Sequence, residues 1–171
     1  MATTLLLIDL QRNMLEPPEQ IPGAARLIDL VDALLERARA AGASVVHVRN
    51  NGAEEELDFP GTPGWELYHT PIEGEAIVDK FGMDAFVDTD LEELIPAGGR
   101  IVLAGLASDY CVRATALSAL GRGHQVWLVR GAHGAYEADG KSGEAIEQEI
   151  EHELRVAGAL IVEPSTPLFQ A

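Results

Sequence analysis

The chain has 171 residues, about the length of one domain, and carries 28 acidic against 12 basic residues for a formal net charge of −16. This balance makes nucleic acid and anionic membranes poor partners, because a face that binds phosphates needs clustered lysine and arginine. One cysteine excludes an internal disulfide, and with neither a secretory signal nor a long apolar run we expect one cytoplasmic domain over residues 1–171.

Six short apolar runs alternate along the chain with longer amphipathic segments. The runs are hydrophobic on successive residues, which is typical of strands buried on both faces. They cover residues 4–8, 44–48, 76–78, 100–104, 125–129 and 159–162. The alternation of strand and helix predicts a three-layer α/β fold, in which helices cover both faces of a parallel sheet.

Helical patterns and two long loops lie between these runs. Residues 23–42 carry a stripe of leucine and valine and end at a glycine, a common C-terminal signal. Thr89 followed by Glu92 predicts a capping box for a short helix, and residues 142–157 predict the last helix. Two irregular stretches have the length of functional loops or lids; they cover residues 11–22 and 50–75.

Three residues that can carry chemistry stand at predicted strand ends. Asp9 closes the first strand, Lys80 follows the third, and Cys111 follows the fourth. In an open parallel sheet, ligands bind beyond the carboxyl ends of the strands, so these side chains are expected to converge. Each has a structural alternative: Asp9 could pin the loop that follows it, Lys80 could be a surface residue, and Cys111 could be an ordinary small core residue.

Cys111 lies where an apolar run becomes a helix. Ser108 or Asp109 can serve as the N-cap, which places Cys111 in the first turn. A helix N-terminus and a nearby ammonium both favour the thiolate, so the pattern predicts a lowered thiol pKa. Asp9 ends an apolar run and needs a cation or a donor, because an unpaired buried carboxylate costs several kcal/mol or becomes protonated.

Four segments resemble the isochorismatase-like cysteine hydrolases. They are LLLIDLQRNM, PGTPGWEL, VDKFGMDAFVDTDLEELI and LAGLASDYCVRATALSALGRGHQVWLVRGAHGAY. The resemblance covers nearly the whole chain, and the last segment is the most specific. It implies an isochorismatase-like fold with a six-stranded, mostly parallel sheet in the Rossmann-like order 3-2-1-4-5-6, and assembly into a homodimer or homotetramer.

The resemblance also implies a role for each strand-end residue. Asp9 would take the thiol proton and later deliver it to the leaving group, and Lys80 would hold carboxylate and sulfur in place. Cys111 would attack a carbonyl and form an acyl-enzyme that water opens. The oxyanion hole would use the backbone N–H groups of Ala107 and Cys111, with a cis peptide between Leu106 and Ala107.

Metal binding is not expected. Nicotinamidases of this family bind a divalent ion through an Asp-x-His pair after the second strand, and here Asn50 and Gly52 occupy those places. The five histidines are scattered along the chain without ligand spacing. We therefore expect no metal and no other cofactor.

The retained cysteine favours attack on an amide carbonyl, so the resemblance predicts a hydrolase of an amide, lactam or ureido C–N bond in a small molecule. Gln11, Trp65 and Tyr110 are candidate substrate-binding residues. Alternatives are an isochorismatase-type vinyl ether hydrolase, a scaffold protein, since a fold alone does not determine function, and a thiol redox sensor, which would gain nothing from Asp9.

One narrower hypothesis uses the charge. Streptothricin hydrolases, which are similar to this family, open a lactam in a cationic antibiotic, and an acidic enzyme would attract such a substrate. Six acidic residues lie in the two loops expected to overhang the site: Glu16, Glu19, Glu54, Glu55, Glu56 and Asp58.

Overall fold

The structure is a computed structural model that describes residues 1–170. Its strands are β1 (Thr3–Ile8), β2 (Ser44–Asn50), β3 (Ala76–Lys80), β4 (Arg100–Leu106), β5 (Gln125–Gly134) and β6 (Leu160–Val162). They form one sheet in the order β3-β2-β1-β4-β5-β6, and every neighbouring pair is parallel. The predicted fold class and strand order are confirmed.

Helices cover both faces of the sheet. They are α1 (Arg12–Leu15), α2 (Ala24–Ala40), α3 (Leu91–Leu94), α4 (Arg113–Gly121) and α5 (Gly143–Ala157). The apolar stripe of α2 packs on one face with Leu5 and Leu7, whereas α4 and α5 pack on the other with Leu6 and Ile8. Successive residues from Leu5 to Ile8 therefore enter opposite cores, which is why this part of β1 is apolar at every position. Within residues 1–170, no helix is both long and apolar enough to span a bilayer.

β5 is longer than its sequence pattern predicts. The apolar run ends at Val129, but pairing with β4 continues to Gly134 after a register shift between Leu103 and Gly105. The shift brings His133 beside Gly105. The extension contains Arg130, Gly131 and His133, so its pairing depends on the neighbouring strand and not on local hydrophobicity.

The capping box predicted at Thr89 does not form. The N-cap of α3 is Asp90, without a side-chain hydrogen bond. The Thr89 hydroxyl instead donates to the Ala85 carbonyl, at 2.5 Å, and accepts from the Leu91 N–H, at 3.3 Å. Glu92 points away from the helix start and forms an ion pair with Arg122.

A glycine allows β4 to approach β1 closely just before the site. Gly105 has φ +140°, and a Cβ there would overlap the Ile8 backbone. Only glycine fits both the conformation and the space. This contact keeps the ends of β1 and β4 together, immediately before Asp9 and the Cys111 turn.

The two long loops join each other above the carboxyl ends of the strands. Gln11 and Leu67 form an antiparallel bridge. The Arg12 N–H donates to the Glu66 carbonyl and the Tyr68 N–H donates to the Leu10 carbonyl, both at 2.9 Å. The segments 11–22 and 50–75, here called the first and second loop, are thus one connected structure.

Glu75 anchors the end of the second loop. Its carboxylate accepts from Arg39 of α2 at 2.7 Å and lies 2.9 Å from His47 Nε2 of β2. Although burial opposes it, these hydrogen bonds from Arg39 and His47 lower the pKa of Glu75 to about 2.

We expect Glu75→Gln to lower the free energy of unfolding at pH 7 by about 1–3 kcal/mol, because charge-assisted hydrogen bonds are lost. The carboxyl pKa lies below its unfolded value of 4.5. The contribution is therefore complete above pH 4.5 and is lost as the pH falls towards 2. Urea unfolding of the wild type and of Glu75→Gln between pH 3 and 8 measures this contribution, and Glu36→Gln, at an exposed position, is the control. A difference in stability that does not change with pH would contradict the prediction.

Candidate active site

Asp9, Lys80 and Cys111 meet at one point, as predicted. Lys80 ends β3, Asp9 directly follows β1, and Cys111 lies five residues beyond β4. Lys80 Nζ lies 2.9 Å from Asp9 Oδ2 and 3.3 Å from Cys111 Sγ. The parallel strand order brings these ends to a single edge of the sheet, where three residues distant in sequence form one cluster.

Lys80 is the centre of this cluster. The residue is 0% exposed, and Nζ also donates to Asn50 Oδ1 at 3.1 Å and to the Gly82 carbonyl at 2.9 Å. Four acceptors therefore surround a buried ammonium, and one of them is the Asp9 carboxylate. A buried charge is stable only with such partners, so the surface interpretation of Lys80 is wrong.

Asn50 positions Lys80, a role that the sequence analysis missed. Its side-chain amide accepts from Lys80 and donates to Asp58 Oδ2 at 2.7 Å. Its backbone N–H donates to Gln11 Oε1 at 2.8 Å, and its carbonyl accepts from Gln11 Nε2 at 3.0 Å. Its position in the sequence could have indicated that Asn50 belongs to the site, because Asn50 ends β2 just as Lys80 ends β3.

The Asp9 carboxylate is held in a desolvated position. Burial raises its pKa above the ordinary value, although the Lys80 ammonium opposes the shift. Oδ2 contacts Lys80, whereas Oδ1 is buried without a hydrogen-bond partner among residues 1–170. A carboxylate with a raised pKa and one free oxygen is well suited to accept a proton.

The Cys111 thiol is not the thiolate that its position at a helix start predicts. Burial, followed by the nearby Asp9 charge, raises its pKa to about 12, and Lys80 only partly opposes these effects. The expectation of a lowered thiol pKa is therefore wrong. The resting thiol is protonated at neutral pH, so it needs a base before it can react as a nucleophile.

Cys111 lies in a π-helical turn, Ser108–Val112, which precedes α4. The Tyr110 and Val112 N–H groups both donate to the Ala107 carbonyl, at 3.1 and 3.2 Å. The N-cap of the turn is Ala107 and has no side-chain cap bond, so the predicted Ser108 or Asp109 cap is wrong. The Leu106–Ala107 peptide bond is cis, as the resemblance implied.

The three predicted substrate-binding residues have different environments. Gln11 is buried, and its amide is held by Asn50 and by the Trp65 carbonyl, which Nε2 reaches at 3.0 Å. The Trp65 indole donates to Asn51 at 2.6 Å and stacks on the Arg49 guanidinium at 3.6 Å. Tyr110 is 59% exposed beside the nucleophile. Gln11 and Trp65 thus shape the loop that carries Asn50, while Tyr110 has a free surface.

The place of the family's metal ligands is filled by other contacts. The Asn50 side chain is bound to Lys80 and Asp58. The Asp58 and Glu56 carboxylates occupy the space beside Gly52, so a side chain at this position would have to displace them. Among the described residues 1–170, no group of three or more His, Cys, Asp or Glu side chains could hold a metal ion.

An acidic cleft lies between the two loops. It has a volume of about 740 Å³ and includes four of the six predicted loop acids, which are Glu19, Glu55, Glu56 and Asp58. Glu16 instead pairs with Arg12. Asp58 connects the cleft to the triad through Asn50, and its charge contributes to the raised pKa of Asp9. The charge of Asp58 therefore acts on the Asp9 carboxylate.

Comparisons with known proteins find relatives over most of the chain. The family model described as "Isochorismatase domain" matches residues 3–150. A streptothricin hydrolase of Streptomyces noursei is 45% identical over 138 residues, covering 78% of this chain and 50% of that protein. A maleamate amidohydrolase of Pseudomonas putida is 29% identical over 157 residues, covering 79% of this chain and 73% of that protein.

Solved structures agree on the fold. The crystal structure of a putative isochorismatase hydrolase from Oleispira antarctica superimposes with a TM-score of 0.86 at 26% identity, covering 95% of this chain and 94% of that one. The chain spans half the length of the streptothricin hydrolase that it matches.

Proposed function

The chain belongs to the isochorismatase family, and from this premise we propose that it hydrolyses a C–N bond, other than a peptide bond, in a small molecule. In this proposal Cys111 is the nucleophile, Asp9 the general base and acid, and Lys80 the electrostatic partner of both. The observation that carries it is the buried Lys80 ammonium in contact with the Asp9 carboxylate and the Cys111 sulfur at once.

Acylation begins with a neutral thiol. The thiol proton passes to Asp9 as sulfur attacks the carbonyl carbon, and the raised pKa of Asp9 makes the carboxylate a stronger base for this step. The backbone N–H groups of Ala107 and Cys111 stabilise the oxyanion. Asp9 then returns the proton to the leaving nitrogen as the C–N bond breaks, which leaves a thioester on Cys111.

Deacylation uses the same groups. Asp9 is ionised again and takes a proton from water, whose oxygen attacks the thioester carbonyl. The C–S bond breaks, the carboxylic acid leaves, and the proton returns to sulfur. Lys80 stays protonated throughout and balances the negative charge, which resides in turn on Asp9, on the substrate oxygen and on sulfur.

The raised pKa of Cys111 and the lack of a second cysteine disfavour a redox-sensor function. A sensor thiol must be ionised and accessible at neutral pH, and a resolving cysteine usually lies near it. The pKa of Cys111 is raised to about 12. The sequence contains one cysteine. These properties fit a thiol that is activated only when a base and a substrate are present.

A screen for released ammonia or amine tests the proposed reaction. Amides, ureido acids and lactams are offered to the wild-type protein and to Cys111→Ala as the blank. Intact-mass spectrometry of the protein with a slow substrate should detect an increase equal to the acyl group, carried by Cys111. Hydrolysis that is equally fast in the blank would contradict the proposal.

The preferred substrate is proposed to be cationic. The acidic cleft lies between the loops that overhang the triad, and its Asp58 is connected to Lys80 through Asn50. A ligand cation in the cleft gains Coulomb attraction at the cost of little desolvation. The similarity to a streptothricin hydrolase supports the same substrate class.

We expect salt to weaken this preference. Between 0.05 and 0.5 M NaCl, kcat/KM for a cationic lactam should fall about tenfold, while that for a neutral amide of the same size stays constant.

The double substitution Glu19→Gln and Glu55→Gln should raise KM for the cationic substrate and leave kcat unchanged. Glu144→Gln, outside the cleft, is the control. Equal salt dependence for both substrates would contradict a cationic preference.

A further inference from the structure

A second buried polar network contacts the turn that carries Cys111. Ser108 Oγ lies 2.8 Å from His133 Nδ1. His133 Nε2 lies 3.4 Å from Glu151 Oε1. The three residues are 0%, 3% and 8% exposed, and His133 and Glu151 also line a cleft of about 760 Å³. The hydrolytic steps described above use none of them.

Each member of this network comes from a different element. Ser108 opens the π-helical turn that carries Cys111. His133 lies on the extension of β5, where it pairs with Gly105 of β4, and Glu151 lies on the buried side of α5. The network therefore joins the turn to the sheet and to the helix layer.

The charges around the imidazole determine the direction of its hydrogen bonds. Nε2 lies 3.4 Å from the Glu151 carboxylate, which is within ion-pair distance but lacks the geometry of a hydrogen bond. The negative charge favours a proton on Nε2, in which case Nδ1 accepts from the Ser108 hydroxyl. Arg130 Nε donates to the other Glu151 oxygen at 3.2 Å and fixes that carboxylate in turn.

We propose that Glu151, His133 and Ser108 form a positioning relay that fixes the Ala107–Cys111 turn, so that the sulfur and the two oxyanion N–H groups reach the substrate carbonyl together. Ser108 lies between Ala107 and Cys111, so its anchoring restrains both ends of the oxyanion hole. A displacement of about 1 Å at such a site costs about 100-fold in rate. The kinetic part of the inference rests on the proposed function.

Substitutions in the relay should lower kcat and leave KM unchanged. We expect Ser108→Ala and His133→Phe to lower kcat by about 10- to 100-fold with KM within about twofold, because the binding cleft is untouched. His133→Gln should recover most of kcat, because its amide can accept from Ser108 and donate to Glu151. The matched control is His152→Phe on the exposed side of α5.

Hydrogen exchange tests the relay without any substrate. The backbone amides of residues 107–112 should exchange at least about tenfold faster in Ser108→Ala and Glu151→Gln than in the wild type, with α2 unchanged. Glu149→Gln, on the exposed side of α5, should have no effect. Ser108→Ala and Glu151→Gln remove few atoms, so they keep the test valid if His133→Phe does not fold.

The outcomes separate this inference from the proposed function. If the wild type hydrolyses no amide, the proposed function fails and exchange alone decides on the relay. If amides are hydrolysed but Ser108→Ala and Glu151→Gln keep wild-type kcat and exchange, the relay is overturned alone. A loss of kcat in His133→Phe that His133→Gln does not recover would also overturn it, because size and not hydrogen bonding would then matter.

Discussion

Asp9→Asn is expected to change hydrolysis and thiol reactivity in opposite directions. Hydrolysis should fall, with kcat/KM lower by about 10²- to 10⁴-fold, because an amide cannot take the thiol proton. Alkylation of Cys111 by iodoacetamide at pH 8 should become faster, because the Asp9 charge that raises the thiol pKa is gone while Lys80 still lowers it.

Measurements across pH complete this test. Asp9 must be ionised to act as a base, and its pKa lies above the ordinary value of 3.8, so wild-type kcat/KM should fall as the pH decreases through that raised pKa. This decrease of kcat/KM at low pH should be absent from the residual activity of Asp9→Asn. Asp79→Asn, an exposed carboxylate next to Lys80 in β3, is the control. Slower alkylation in Asp9→Asn would contradict the assignment of Asp9.

Lys80→Met should be the most destabilising substitution in the site. Methionine fills much of the space of the lysine stem but leaves the buried Asp9 carboxylate without its ion-pair partner. Removing one partner of a buried pair costs about 3–5 kcal/mol of the free energy of unfolding. We also expect kcat/KM to fall by about 10²- to 10³-fold, because the charge formed during the reaction loses its counter-ion.

The double variant Asp9→Asn with Lys80→Met separates these two effects. It removes both charges, so most of the lost stability should return in urea unfolding while hydrolysis stays low. Lys141→Met, an exposed lysine paired with Glu149, is the control for the loss of a surface ion pair. If the double variant is as unstable as Lys80→Met alone, the buried charge of Asp9 is not the cause.

These expectations share one physical basis, which is the desolvation of the triad. Burial raises the pKa of both Asp9 and Cys111, so the thiol keeps its proton until a substrate arrives. The same burial makes the Lys80 ammonium effective, since charges interact more strongly where water is excluded. A protein built in this way limits unwanted reactions of its cysteine and keeps a base next to it.

The location of the site could be predicted from the sequence because strand ends are local features. The apolar runs before Asp9 and before the Cys111 turn end visibly, and parallel strands with helical crossovers bring such ends to one edge. The strand order and the cis peptide came from the resemblance, whose motifs are specific. In the sequence, Asn50 stood out only because it occupies the place of a metal ligand, although it ends β2 just as Lys80 ends β3.

The properties of the site that depend on surroundings could not be predicted in this way. A helix start predicted a lowered pKa for Cys111, but burial and the Asp9 charge raise it to about 12. The predicted capping box at Thr89 does not form, because its hydroxyl contacts the Ala85 carbonyl and the Leu91 N–H, and the predicted cap at Ser108 is wrong because its hydroxyl contacts His133. Local spacing does not encode which distant group will compete for a hydrogen bond.

The sequence by itself determined the layered fold, the edge of the sheet where the chemistry-bearing residues collect, and the identity of the Asp9, Lys80 and Cys111 cluster. Tertiary structure alone decided the raised pKa values of Asp9 and Cys111, the role of Asn50, the length of β5 and the contact of His133 with Ser108. The reason is physical: hydrophobic periodicity is written along the chain, whereas desolvation and charge depend on atoms from several elements that meet only after folding.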